Sequence, residues 1–136
     1  MASPKSELRL RCPAHSRHVA PVRRALAAYL RALDYEPREV DDITTAAGEA
    51  LANIVEHAYA RSGSKIDRYM ELRARRDARG ELAVEVCDGG AFRARRRSSP
   101  GRGFGLRIMR AIAANMTIDA RASGGTRVRM RFAAKR

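Results

Sequence analysis

Residues 49–59 read Glu49-Ala50-Leu51-Ala52-Asn53-Ile54-Val55-Glu56-His57-Ala58-Tyr59. Two patterns are superposed in this stretch. Leu51, Ile54, Val55 and Ala58 recur at helical spacing and mark a face turned to a core. Glu49, Asn53 and His57 recur every four residues, so on a helix they project together from another side. A carboxylate beside an amide suits two tasks. The Asn oxygen is a hard ligand for Mg2+, and the carboxylate can accept a proton or orient a nucleophile. An ordinary polar helix face carries the same spacing. Upstream, Pro37 suits the first turn of this helix. The helix is therefore expected from Pro37 to about Tyr59, with Val40, Ile43 and Ala47 also facing the core.

Working outward, Ser6 to Cys12 alternates Leu8, Leu10 and Cys12 with charged residues, which predicts a first strand. His15 to Leu33 places Val19, Val22, Leu26, Leu30 and Leu33 at helical spacing. Its arginines, Arg17, Arg23, Arg24 and Arg31, fit a solvated basic face. Beyond the quoted helix, Arg61 to Lys65 reads as a loop with Gly63. Tyr69 to Arg75 and Leu82 to Val86 read as two strands joined by a turn at Asp77-Ala78-Arg79-Gly80. Asp88 through Gly103 is a glycine- and arginine-rich loop. Phe104 to about Ala114 reads as a third helix, with Leu106, Ile108, Met109 and Ile112 apolar. Met116 to Ala120 and Arg127 to Phe132 form a closing hairpin around Ser123-Gly124-Gly125. The order predicts an α/β fold: a two-layer sandwich of a mixed, mainly antiparallel sheet with helices on one face.

Three further motifs carry chemistry. Val84-Glu85-Val86-Cys87-Asp88-Gly89-Gly90 is a strand that ends in Asp and two glycines. Such an Asp can accept a hydrogen bond from an exocyclic amine, and glycine lets backbone approach a flat ring. A plain strand-ending turn has the same composition. Cys87 reads as a buried small hydrophobe. Gly101-Arg102-Gly103-Phe104-Gly105-Leu106 leads into a helix, whose first N–H groups suit an anion. Arg102, and Arg93, Arg95, Arg96 or Arg97, can add charge-assisted phosphate contacts. A solvated arginine run is the competing interpretation. No Gly-Lys-Ser/Thr follows, so this is not a Walker A loop. Gly124-Gly125-Thr126 is a hairpin turn whose Thr126 can offer a hydroxyl to a ligand.

Composition narrows the classes. The chain has 136 residues, 45 % hydrophobic and 32 % charged, which fits one globular domain spanning 1–136. No apolar run reaches the ~20 residues needed to cross a bilayer, and no secretory leader is visible. Two cysteines make neither a disulfide framework nor a CxxC pair. A cytoplasmic protein is expected. Lys+Arg total 28 against Asp+Glu 15, a net charge of +13, and only Lys5, Lys65 and Lys135 are lysines. Such basicity points to an anionic partner. Aromatics are only 5 %, so a stacking platform for single strands is thin, and nucleic acid is disfavoured.

In order and spacing together, the four motifs resemble the boxes of the GHKL (histidine kinase-like) ATPase superfamily. Glu49, Asn53 and His57-Ala58-Tyr59 resemble its N box, and Asp88-Gly89-Gly90 its Asp-x-Gly box. Gly101 to Leu106 resembles the glycine-rich lid, and Gly125-Thr126 the final Gly-Thr motif. The branch most similar is the anti-sigma factor serine/threonine-protein kinase family. The resemblance implies the Bergerat sandwich, ATP under a flexible lid, and Mg2+ on Asn53. It implies Asp88 on the adenine amine with Gly90 and Thr126 nearby. Gly101, Arg102, Gly103, Phe104, Gly105 and Leu106 would be around the phosphates, with His57 a structural hydrogen-bonder close to them. Glu49 would be the general base for a seryl hydroxyl. Implied partners are a sigma factor, a small anti-sigma antagonist and a second copy of the chain. A sensor histidine kinase would need an upstream phosphoacceptor hairpin, for which no room is seen, and gyrase or chaperone relatives carry large transducer domains. The alternatives are a non-catalytic ATP-binding regulator that docks a protein partner and a basic nucleic-acid-binding protein.

Overall fold

A computed structural model describes residues 7–59, 68–90, 102–122 and 124–133, with only the backbone described at 102–105. The chain runs through β1 (Glu7–Pro13), a 3-10 turn (Ser16–His18), α1 (Val19–Ala32) and α2 (Pro37–Asn53). A π-helical turn (Ile54–Ala58) follows, then β2 (Tyr69–Arg76), β3 (Leu82–Asp88), α3 (Arg102–Ile112), β4 (Asn115–Ala120) and β5 (Thr126–Phe132). The strands form one five-stranded sheet in the order β1-β2-β3-β5-β4, and each neighbouring pair is antiparallel. The expected α/β order is borne out, with the described strands all antiparallel rather than mixed. The loop expected at Arg61 to Lys65, and residues 91–101 of the glycine- and arginine-rich loop, lie outside the described residues.

Local chemistry explains where elements begin and end. At the start of α2, Glu36 and Glu39 form a reciprocal capping box, and the Glu36 N–H donates to Glu39 Oε1 at 2.8 Å. Pro37 occupies the first turn, where its missing N–H costs nothing. Between β2 and β3, Asp77 Oδ1 accepts from the backbone N–H of Arg79 and of Glu81, each at 2.9 Å. That side chain organises the predicted turn.

The period-2 pattern of the strands sends one set of side chains toward the helices. Met70, Leu72 and Ala74 of β2, Leu82, Val84 and Val86 of β3, and Met130 and Phe132 of β5 are buried there. Leu8, Leu10 and Cys12 of β1 pack against the same core. Val22, Leu26 and Leu30 of α1, Val40, Ile43, Ala47 and Leu51 of α2, and Met109 of α3 close it from above. The α2 helix lies between α1 and α3. Its buried Ala46, Ala47, Gly48 and Ala50 are small, which lets its neighbours come close.

The other set of strand positions carries arginine. Arg9 Nε pairs with Glu71 Oε2 at 3.0 Å, Arg73 Nη2 with Glu7 Oε2 at 3.3 Å, and Arg129 Nε with Glu85 Oε2 at 3.0 Å. These are cross-strand pairs, each contributing ~0.2–1 kcal/mol. Part of the arginine excess is thus taken up by the sheet itself.

One expectation needs correction. The second helix does not continue as α-helix to Tyr59; it widens into the π turn after Asn53. A π turn closes i→i+5 hydrogen bonds in place of i→i+4, so the backbone winding changes after Asn53. Glu49 and Asn53 lie on the last turns of α2, and His57 lies on the π turn that follows. The apolar face of α2 gives a direct test. Leu51 is fully buried, so Leu51→Ala should lower the unfolding free energy by about 2–5 kcal/mol in urea denaturation, without changing the sheet content seen by circular dichroism.

Candidate nucleotide site

Asp88 ends β3 and is 4 % exposed. It falls on the same alternation as Val84 and Val86, toward the helix layer. Its Oδ1 accepts the Gly90 N–H at 2.8 Å, and the Thr126 N–H also donates to the carboxylate. Burial pushes the Asp88 carboxyl above its ordinary range, while those two N–H groups and the Arg121 charge oppose the shift. A carboxylate has about four acceptor positions, so acceptor capacity is left for a ligand amine.

Two glycines let backbones meet at this carboxylate. A Cβ on Gly90 would fall on the Ala58 carbonyl oxygen, so the π turn rests directly on the segment after Asp88. Gly125 has φ 92°, and a Cβ there would fall on the Asp88 carbonyl oxygen. Both positions exclude any other residue on space, and Gly125 on backbone angle as well.

Tyr59 ties the helix layer to the sheet. Its hydroxyl donates to the Tyr69 carbonyl at 2.6 Å and accepts the N–H of Tyr69 at 3.1 Å and of Gly89 at 2.8 Å. One donor and two acceptor positions are all used. Burial pushes this phenol's pKa up, which keeps it a donor.

The expected residues fall as follows. Glu49 and Asn53 are half-buried on the last turns of α2, and half-buried His57 sits in the π turn with Nε2 3.5 Å from Glu56 Oε1. Gly90 and Thr126 flank Asp88, Thr126 as its register partner on β5. Gly101, with Arg93, Arg95, Arg96 and Arg97, lies outside the described residues. Arg102, Gly103, Phe104 and Gly105 form the first turn of α3, two residues earlier than predicted, and Leu106 packs on the core. The first N–H groups of a helix have no partner within it. Cys87 is buried, and burial raises its thiol pKa, as expected for an inert core position.

Three contributors were not anticipated from the sequence: the bonding role of Tyr59, and the side chains of Tyr69 and Arg121. A buried tyrosine seeks a hydroxyl partner, so Tyr59 carried a signal in the quoted stretch. Arg121 carried none among so many arginines.

The model of the histidine kinase-like ATPase domain matches residues 12–132. The chain belongs to that family. This histidine kinase-like ATPase domain is 25 % identical to the anti-sigma F factors of two Clostridium botulinum strains, Eklund 17B and Alaska E43, over 138 residues. Each match covers 93 % of this chain and 94 % of the relative. Among solved structures, it is similar to the RsbU and RsbW domains of a Mycobacterium tuberculosis protein, with a TM-score of 0.74 and 23 % identity. That match covers 96 % of this chain and 32 % of the other, so the chain spans about a third of that protein's solved length. The histidine kinase domain of a blue-light activated kinase from Erythrobacter litoralis matches at TM-score 0.58 and 19 % identity, over 84 % of this chain and 60 % of the other. These likenesses support the sandwich fold, and the family description makes the domain an ATP binder.

Two expectations follow. Tyr59→Phe leaves the Tyr69 and Gly89 backbone groups without their partner, at ~1–3 kcal/mol for each buried group. Thermal melting should show a loss of several degrees. Asp88 behaves oppositely. Its folded pKa lies above the ordinary 3.8, so its ionisation penalises the free fold increasingly as pH rises above about 4, until the folded carboxyl is itself ionised. Asp88→Asn should therefore melt progressively higher than wild type across that window while binding ATP poorly.

Proposed function

We propose that the chain is an ATP-dependent serine-protein kinase acting as an anti-sigma regulatory factor. It would phosphorylate a small anti-sigma antagonist and sequester a sigma factor. The observation that carries this is the buried Asp88 carboxylate, held by the Gly90 and Thr126 N–H groups, with Gly90 itself against the π turn that follows Glu49 and Asn53. Anti-sigma F factors match along nearly their whole length, which supports the assignment of partners.

The donor set fits Mg-ATP. Asp88 offers a buried acceptor suited to the adenine amine, and Gly90 keeps that wall free of side chain. Among the described residues no three His, Cys, Asp or Glu side chains converge. Asn53 then supplies one hard oxygen, and Mg2+ in nucleotide sites commonly completes its shell from phosphates and water. Bound Mg-ATP supplies the phosphoryl group and neutralises charge on it. The first turn of α3 would offer its free backbone N–H groups to phosphate, and the motif assigns Gly101, Gly103 and Gly105 to close approach and Arg102 to added charge. Glu49 takes the proton of the attacking seryl hydroxyl. Its position one helical turn before Asn53 places base and metal ligand on one side of α2. His57 supports the phosphate side of the pocket as a hydrogen-bonding residue. We place the protein in the cytoplasm, as one domain that pairs with a second copy. Among the described residues no helix is long and apolar enough to cross a membrane.

Calorimetry with ATP, with and without Mg2+, tests the pocket. Phosphate transfer to the antagonist tests the chemistry. Asn53→Ala should abolish the magnesium-dependent part of binding. Glu49→Ala should bind ATP as wild type does and transfer phosphate about 100-fold or more slowly. Wild-type transfer by Glu49→Ala would remove the general-base role, leaving an ATP-dependent docking protein.

A further inference from the structure

Behind the sheet, Arg121 reaches across from the end of β4. One nitrogen, Nη1, donates to the Tyr69 hydroxyl at 2.6 Å and to the Asp88 carbonyl oxygen at 3.1 Å. The Arg121 main chain closes the β4–β5 turn: its N–H donates to the Gly125 carbonyl at 2.9 Å, and its carbonyl accepts the Gly124 N–H at 3.0 Å. The same residue therefore grips the turn that carries Gly125-Thr126 and the strand end that carries Asp88.

Its anchor is itself immobilised. The Arg11 guanidinium lies 3.8 Å from the centroid of the Tyr69 ring. On another side, Tyr69 Cε1 is so close to Gly89 that a Cβ there would sit 2.8 Å away. The Tyr69 backbone is held by the Tyr59 hydroxyl. Asp88-Gly89 is thus clamped from two sides, by Tyr59 on the Gly89 N–H and by Arg121 on the Asp88 carbonyl.

We propose that Arg121, anchored on Tyr69, is a positioning residue that makes the Asp88 carboxylate select an adenine amine over a purine 6-carbonyl. The proposal rests on Asp88 being the purine contact put forward above. Two effects combine. The charge-assisted bond fixes the Asp88 main chain, and with Oδ1 tied to Gly90 this fixes the carboxylate plane. The nearby guanidinium also favours the ionised carboxylate. An ionised carboxylate accepts hydrogen bonds only, which suits the adenine amine. A protonated one can donate, which suits the 6-carbonyl of hypoxanthine or guanine.

Calorimetric titration with Mg-ATP and with Mg-ITP at neutral pH tests this in wild type, R121M, R121K and Y69F, each checked by thermal melting. R121M should bind Mg-ATP about tenfold more weakly and Mg-ITP nearly unchanged, so the preference for ATP narrows. R121K should recover most of that preference, because both hydrogen bonds leave a single nitrogen that an ammonium can replace. Y69F removes the anchor and should narrow the preference too, which keeps the test available if R121M does not fold. An unchanged preference in R121M and Y69F, or equal weakening toward both nucleotides, would overturn the proposal while leaving the nucleotide site intact. Wild type binding neither nucleotide would overturn the ATP assignment and this inference together.

Discussion

A single phenolic hydroxyl joins the two layers of this molecule where the chemistry is expected. Tyr59 stands at the end of the π turn, and its oxygen engages Tyr69 on β2 and Gly89 just after β3. A hydroxyl with every position filled tolerates neither a shift of the turn nor a slip of the strand. Glu49 and Asn53 lie upstream of it on α2, and Asp88 lies beside its partner Gly89. Their relative placement depends on this bond set together with the close-packed core beneath it.

Hydrophobic burial supplies the general driving force, and the close approaches supply the register. Gly90 under Ala58 and Gly125 over Asp88 leave no room for a methyl group. Such contacts need neighbouring elements already held in place. The alanine- and glycine-rich face of α2 does this on the helix side, and the capping box at Glu36 and Glu39 sets where that face begins. Asp88 is a cost within this arrangement. A buried carboxylate disfavours the free fold, a cost that the proposed adenine contact would offset on binding.

Much of the fold was legible in the sequence, for a physical reason. Leu26, Leu30 and Leu51 declare their burial through spacing, and Asp77 and Gly80 declare their turn through side-chain chemistry. Strand ends were read to within a residue or two. The π turn was not legible, because Ile54, Val55 and Ala58 suit either helical winding and only tertiary contacts choose between them. For the site, Asp88, Gly90 and Thr126 were legible as a motif, and the structure brings them together. Tyr69 and Arg121 were not. Their bonds join residues 52 positions apart, and no local pattern encodes such a pairing. Gly101 and the arginines before it carry motif information alone.

The arginine-lined strand β1 has a consequence for the molecule in company. It is an outer strand of the sheet, and one of its edges offers backbone groups to any passing chain. Arg9 and Arg11 alternate along it, and Pro13 ends it without an N–H to give. A second molecule aligned edge to edge in parallel register would set Arg9 against Arg9 and Arg11 against Arg11. The high arginine content, which at first suggests an appetite for anions, thus also guards against fibre-like stacking. That protection weakens as salt shortens the reach of charge, so concentrated brine is the condition under which this sheet is least defended.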